Sequence, residues 1–347
     1  MSTDPAHPLR ILIIRRDNIG DLVCTTPLIR SLRQQFPQAR IDALVNSYNL
    51  AVVADNPDLD HVYAYTKGKH RDHSQSGAGI YLQRLAMYWA LFRCRYDYIV
   101  LADTVFSGRA LSMARWFRPA HIIGFAPAGQ SPKGLDLPIR SGPDGHVVAR
   151  LAALLTPLGI NTPPPALVLQ ANPAALAAAR STVGPLPAGR PLIGLHISAR
   201  KPSQCWPAER FIELAKRLHT EHGATLLLFW SPGAEDNPLH PGDDQKAHAI
   251  IEGTAGLPLQ PFATRELAQL IAGLSLVEWV ICSDGGAMHI AAGLGKPVVC
   301  FFGQSNVTHW HPWGVPYVAL QPASQQVTDV SVDEVMAACH RLAAGRT

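Results

Sequence analysis

Val280–Gly303 reads VICSDGGAMHIAAGLGKPVVCFFG. Val280–Cys282 is an apolar run of the kind that forms a buried strand, and Ser283–Gly286 is a small-residue turn carrying one carboxylate, Asp284. Ala287–Leu294 has helical composition and stops at Gly295 and Pro297. A second apolar run, Val298–Phe302, follows. Strand, glycine turn, short helix and strand make a βαβ unit. Its turn presents unpaired backbone N–H groups at a helix N-terminus, where the helix dipole also favours negative charge, so the turn suits a phosphate group. The same turn also occurs for packing alone, and by itself it names no function.

The same alternation runs through the rest of the chain. Leu9–Ile14 is a strand and Arg15–Asp21, RRDNIGD, its loop. Leu22–Phe36 carries apolar residues at 22, 25, 28, 29, 32 and 36, a helical period, with Pro27 in its first turns as a source of a kink. Strands follow at Ile41–Val45, Val62–Tyr65, Tyr98–Leu101 (a run ending at Asp103) and His121–Phe125. Helices are expected at Asn46–Ala54, Ile80–Cys94, Ser107–Phe117 and Val147–Leu158. Thr66–Gly79 and Ala126–Gly145 read as loops. Ala174–Val183 is a helical stretch before the linker Gly184–Pro191, GPLPAGRP, where the domain boundary is placed. The pattern restarts with strands at Leu192–Ile197 and Leu226–Trp230. Helices are expected at Pro207–His222, Gln245–Glu252, Thr264–Ala272 and Val332–Ala344. The expectation is therefore an α/β chain of two Rossmann-like lobes, 1–183 and 184–347, with a cleft between them.

Composition narrows the function classes. The chain has 347 residues, 47% of them hydrophobic and 16% charged, enough for sizeable cores and against wholesale disorder. No apolar run is long enough for a membrane span, and MSTDPAHPLR lacks a signal-peptide core. Six widely spaced cysteines form no C-x-x-C pair, which fits buried thiols in a reduced compartment and shows no metal site. Residues 1–170 carry 18 Lys and Arg against 12 Asp, whereas 171–347 carry 12 Lys and Arg against 14 Asp and Glu. A basic N-terminal half fits an anionic partner there, an acidic substrate or a membrane surface, or simply a solvated face. The excess is too small to imply nucleic acid.

Four loops that follow strands hold the chemistry-bearing residues. In Asp17-Asn18-Ile19-Gly20-Asp21, Gly20 permits close backbone approach, and Asp21 either caps the helix or serves as a general base. In His196–Trp206, HISARKPSQCW, Arg200 and Lys201 are adjacent cations able to hold a pyrophosphate, or are surface charges. Asp284, Gly285, Gly286 and His289 form the third group. In Trp230–Glu235, WSPGAE, Glu235 could accept from ribose hydroxyls or lie idle at the surface. The first loop is not G-x-G-x-x-G, and no Walker lysine exists, which disfavours a nicotinamide dehydrogenase or a P-loop enzyme.

Taken together and in order, these motifs resemble glycosyltransferase family 9, the heptosyltransferases of lipopolysaccharide assembly. The resemblance rests on ILIIRRDNIGDLVCTTPLIRSLRQQFPQARIDALV (11–45), CWPAERFIELAKRL (205–218), SDGGAMHIAAGLGKPVVCFFG (283–303) and WHPWG (310–314). It implies the GT-B architecture and an inverting transfer that uses no metal, with Asp21 as the base on the acceptor hydroxyl. Arg15, Asn18 and Gly20 are then on the acceptor side of the N-terminal lobe. The C-terminal lobe then holds the nucleotide sugar, typically ADP-heptose, and Asp284, Gly285, Gly286 and His289 match the family's donor-phosphate site; Ser198, Arg200 and Lys201 are donor-side candidates on physical grounds. The implied acceptor is a lipid-linked anionic glycan. The implied setting is cytoplasmic, with peripheral contact at the inner face of the inner membrane through the basic lobe and Lys67–His73. Two departures stand out. Family members often carry threonine where Gly285 stands, and many carry a basic residue where Gln204 stands. The alternatives are a sugar-nucleotide epimerase of the same shape and a non-catalytic nucleotide-sugar-binding relative.

Overall fold

The structure, a computed structural model, describes residues 8–65, 77–140, 142, 144–185, 187, 189–236 and 242–345, with the side chains of 77–81 and 83 excepted. The expected basic loop at Lys67–His73 lies outside the described residues. The chain divides into two compact units, Met1–Val168 and Leu169–Thr347.

The first unit is a six-stranded parallel sheet. Its strands are β1 (Arg10–Ile14), β2 (Arg40–Asn46), β3 (His61–Tyr65), β4 (Tyr98–Leu101), β5 (His121–Phe125) and β6 (Leu137–Ile139), in the order β3-β2-β1-β4-β5-β6. Its helices are α1 (Ile19–Val23), α2 (Thr26–Gln35), α3 (Gly77–Cys94), α4 (Gly108–Trp116) and α5 (Val147–Ala152). In β1, Ile11, Leu12, Ile13 and Ile14 are all buried, as a central strand covered on both faces requires.

The second unit repeats the plan. It begins with α6 (Pro173–Val183), β7 (Leu192–His196), α7 (Ala208–His222), β8 (Thr225–Trp230), α8 (Asp244–Gly253) and β9 (Leu259–Ala263). It continues with α9 (Leu267–Leu276), β10 (Trp279–Ser283), α10 (Gly286–Gly293), β11 (Val298–Phe301), α11 (Val307–Trp310), β12 (Tyr317–Leu320) and α12 (Val332–Ala344). Strand order is β12-β11-β10-β7-β8-β9, again wholly parallel. Counted from its own first strand this is the 3-2-1-4-5-6 order of the first sheet. In each sheet the winding direction reverses beside the first strand, between β1 and β4 and between β7 and β10.

Several elements differ from expectation. The single helix at 22–36 is two helices, because Pro27 lacks the N–H that a continuous helix needs and instead opens α2. The turn between them is closed by hydroxyls: Thr25 donates to the Asp21 carbonyl at 2.8 Å and Thr26 to the Val23 carbonyl at 2.7 Å. The stretch 126–145 is not all loop, since β6 lies within it. β6 and β9 each carry a proline (Pro138, Pro261) and stand at sheet edges, where a missing ladder donor is tolerated. β12 and the one-turn α11 were not anticipated either. The division at 168/169 precedes the expected 183/184, because α6 packs on α9 and so belongs to the second unit. All six cysteines are free thiols.

Trp206 fixes the loop that follows β7. It is 1% exposed, its indole N–H donates to the Val330 carbonyl at 2.9 Å, and its ring meets Phe211 edge-on at 4.8 Å and Phe301 at 5.0 Å. Trp206→Ala should cost about 3–5 kcal/mol, the usual range for emptying a buried aromatic site. Urea unfolding followed by circular dichroism measures this, and a loss below about 1 kcal/mol would show that the indole is no anchor.

Candidate functional site

In the second unit the site lies at the carboxyl ends of β7 and β10. The Asp284 N–H continues the sheet ladder by donating to the Phe301 carbonyl at 2.8 Å. Its carboxylate then stands at the strand exit, where the Gln204 side-chain amide donates to Oδ2 at 2.8 Å and to the Ser305 hydroxyl at 3.1 Å. The Ser283 hydroxyl donates to the Gln204 carbonyl at 2.6 Å. Three loops, those after β7, β10 and β11, are thereby tied together at buried Gln204. Gly303 lets this happen: a Cβ there would come within 2.5 Å of the Ser203 carbonyl oxygen, a backbone atom that cannot step aside cheaply.

Gly285 takes φ 156° and ψ −166°, a conformation side-chain-bearing residues rarely adopt, and it leads into α10. The first N–H groups of a helix have no acceptor inside it, so Gly286 and its successors present donors at this edge. His289 lies on the first turn of α10, 3% exposed, with its ring edge-on to Trp310 at 5.8 Å. Arg200 and Lys201 are exposed on the loop from β7, and neither forms an ion pair among the described residues. The Ser198 hydroxyl is turned toward the next loop, accepting from the Ser231 N–H at 2.9 Å. Glu235 is exposed. Sequence reasoning missed Lys246 on α8, whose ammonium donates to the Ile197 carbonyl at 2.9 Å and lies 5.1 Å over the Phe211 ring. Burial holds its pKa below the ordinary lysine value.

In the first unit the loop after β1 is organised by Arg15, which is 1% exposed. Its guanidinium donates to the Ala102 carbonyl at the end of β4 and to Asp21 Oδ1 at 2.6 Å, and it stands 3.5 Å from Asp17. Arg15 therefore orients Asp21 from below and does not face solvent. Asn18 is the N-cap of α1, and its backbone and side-chain N–H groups reach Asp21 Oδ2 at 3.3 and 3.1 Å. Asp21 is thus the third helical residue, closing a capping box, instead of the cap itself. Its side chain remains 16% exposed, so it can still meet a ligand. Gly20 is the second helical residue, between Asn18 and Asp21 in sequence. Asn46 and Asn49 clamp the loop by donating to the Asp17 carbonyl at 3.2 and 3.1 Å.

Asp103, just past β4, completes this cluster and was not among the expected site residues. Burial first, then the charge of Asp17, pushes its carboxyl up to about 6, against the pull of Arg15 and Arg16. The signal for it was the end of a central strand next to the reversal of winding. Among the described residues no group of three His, Cys, Asp or Glu side chains gathers as a metal site.

Asp103 makes stability depend on pH. Between about 4, the ordinary aspartate value, and about 6, the folded protein keeps a proton that the unfolded chain has lost. The group costs nothing below that window, and its ionisation destabilises the fold as pH rises through 6. Asp103→Asn should therefore gain in melting temperature relative to wild type from pH 4 to 7. A difference that stays constant over that range would sink the assignment.

Known proteins place the chain in a family. The model of Glycosyltransferase family 9 (heptosyltransferase) matches residues 84–339. Lipopolysaccharide heptosyltransferase 3 of Escherichia coli is 24% identical over 303 residues, covering 85% of this chain and 83% of that protein. Lipopolysaccharide heptosyltransferase 2 of Salmonella typhimurium is 25% identical over 327 residues, covering 86% and 84%. Among solved structures, the family 9 glycosyltransferase of Veillonella parvula superposes with a TM-score of 0.82 at 19% identity, covering 97% of this chain and 98% of that one. Escherichia coli heptosyltransferase WaaC with ADP gives 0.75 at 18% identity, covering 96% and 100%. With two doubly wound sheets of the GT-B class, and a family match over most of its length, the chain belongs to glycosyltransferase family 9, the heptosyltransferases, and is a glycosyltransferase.

Proposed function

We propose that the chain transfers heptose from ADP-heptose to a lipid-linked, anionic glycan of the lipopolysaccharide-core type, with inversion and without a metal. The observation that carries this reading is the Asp284-Gly285-Gly286 turn at the reversal point of the second sheet, with its N–H donors at the start of α10. The named activities of the relatives support the transferred group, and the WaaC complexes with ADP and with ADP-2-deoxy-2-fluoro heptose support the nucleotide.

In the proposed step the acceptor hydroxyl oxygen attacks the anomeric carbon as the bond from that carbon to the diphosphate oxygen breaks. Asp21, oriented by Arg15 and Asn18, takes the hydroxyl proton. The departing nucleoside diphosphate gathers negative charge. The N–H groups that open α10, with Arg200 and Lys201 on the β7 loop, would meet that charge, and Ser198 and His289 border the donor. The first unit serves the acceptor and the second the donor. Membership of a transferase family favours this reading over a sugar-nucleotide epimerase.

The test combines binding and turnover. At 100 times its dissociation constant a ligand stabilises by about 2.7 kcal/mol. ADP should therefore raise the melting temperature, whereas UDP, GDP and CMP should not, and Asp284→Ala should lose most of the shift. Asp21→Asn should keep the ADP shift yet lower kcat for heptose transfer by about 10²–10⁴, with EDTA without effect on wild type. A shift with another nucleotide would change the donor. Undiminished transfer by Asp21→Asn would remove the aspartate from its role.

A further inference from the structure

The buried guanidinium of Arg15 is unevenly used. Nη2 donates to Asp21 Oδ1 at 2.6 Å, and Nη1 donates to the Ala102 carbonyl at the end of β4. Nε is buried and forms no hydrogen bond, because Asp17 Oδ2 beside it stands at 3.5 Å. A buried donor gains by finding an acceptor, so something must keep Asp17 from closing that gap.

Asp103 is the group in position to do so. β4 pairs with β1 in parallel register, Leu101 beside Ile14, so Asp103, two residues past β4, lies beside the start of the β1 loop. There its carboxyl is hydrogen-bonded to Asp17. Two carboxyl groups share a hydrogen bond only while one of them carries a proton. Burial, then the charge of Asp17, keeps that proton on Asp103 up to about 6. The other charged and titratable groups around the pair, among the described residues, are Arg16 in the same loop, Asp21 on α1, Tyr65 on β3 and Arg150 on α5. The Arg16 guanidinium lies 5.8 Å over the Tyr65 ring, burial raises the pKa of the Tyr65 phenol, and Arg150 donates to the Thr104 carbonyl at 3.0 Å. Neither these arginines nor this tyrosine changes charge near neutral pH.

We propose that Asp103 is a positioning residue for Asp21, acting through Asp17 and Arg15 to set how strongly Asp21 attracts a proton. While Asp103 is protonated it donates to Asp17, and Arg15 gives its charge chiefly to Asp21. Once Asp103 is ionised the two carboxylates repel, and Asp17 closes on the free Nε–H of Arg15. The guanidinium then divides its charge between Asp17 and Asp21, and the cluster carries one more negative charge. Both changes favour a proton on Asp21 and make it the stronger base. The inference rests on the proposed role of Asp21 and adds to it: the rate of transfer follows an ionisation that is not that of the base.

The experiment has two arms, on the full chain. Asp103→Asn keeps an N–H for Asp17 and never ionises, so it imitates the protonated residue, whereas Asp103→Glu keeps a carboxyl. In the first arm, carbon NMR of protein labelled at the aspartate carboxyls is followed from pH 5 to 8. The Asp21 signal, assigned with Asp21→Asn, should show a step near 6 that coincides with the titration of Asp103 and is absent from Asp103→Asn. In the second arm, kcat for transfer from ADP-heptose is measured over the same range. Wild type should rise by about three- to tenfold through 6. Asp103→Asn should stay at the acid level of wild type, Asp103→Glu should restore the rise, and KM for ADP-heptose should not follow. A merely structural loss would lower kcat by one factor at every pH. An Asp21 signal without the step, or the same rise in Asp103→Asn as in wild type, overturns the proposal. The NMR step together with undiminished transfer by Asp21→Asn would uphold the coupling between the carboxylates and remove Asp21 as the base.

Discussion

Parallel strands can be joined only by crossover connections, nearly all of them right-handed, and that constraint places both candidate sites. With every strand parallel, each strand ends, and each returning helix begins, at the same edge of its sheet. Where the winding reverses, the loops from two neighbouring strands leave toward opposite faces and open a space between them. In the first unit the β1 and β4 loops flank it, and in the second the β7 and β10 loops do. The candidate site residues are those the chain supplies at these four exits: Arg15 to Asp21, Asp103, Ser198 to Gln204, and Asp284 to Gly286.

The two spaces are electrostatically unlike, although the sheets are alike. The first holds three carboxylates, Asp17, Asp21 and Asp103, around one buried guanidinium. Arg15 reaches across from β1 to the end of β4 and fixes the position of Asp21 while doing so. A group that exchanges a proton with a sugar hydroxyl needs that fixity. The second space presents backbone amides and exposed cations, with a single carboxylate held by a neutral amide. One site suits handling a proton, the other an anion.

Legibility in the sequence follows burial. β1, β4, β7, β8 and β10 are runs of buried apolar residues, and they were placed within a residue or two. The edge strands β6, β9 and β12 are short and half exposed, and two of them carry proline, so no local pattern distinguishes them from loop. Only pairing with a neighbour makes them strands, and pairing is a tertiary fact. The same holds for α6, whose attachment to α9 cannot be read from its alanines. The positions of Asp21 and Asp284 in loops that follow strands, and of His289 on the first turn of the next helix, were legible because glycines mark those turns. Asp103 and Lys246 were not, since their significance lies in what packs over them. Leu82, Leu85 and Trp89, exposed on α3, show a further limit: an apolar stripe in a sequence looks the same whether it faces the core or solvent.

Gln204 was legible only as a departure, and its geometry gives that departure a physical content. A cation at this buried position would pair with Asp284 and leave only part of its charge for a diphosphate. The amide satisfies Asp284 with one N–H and Ser305 with another, so the three-loop junction is kept without a buried charge pair, which costs desolvation at both partners. Under the proposed donor role, positive charge then comes from Arg200 and Lys201, which are exposed and screened by salt. The fixed amides at the start of α10 are not screened in that way. Stabilisation of the leaving group therefore shifts from side-chain charge toward backbone dipoles, which need Gly285 and Gly286 at the turn for close approach. Under the proposed donor role, the glycine in place of a threonine hydroxyl and the glutamine in place of a cation are two parts of one arrangement, in which the backbone would carry the larger share of anion binding.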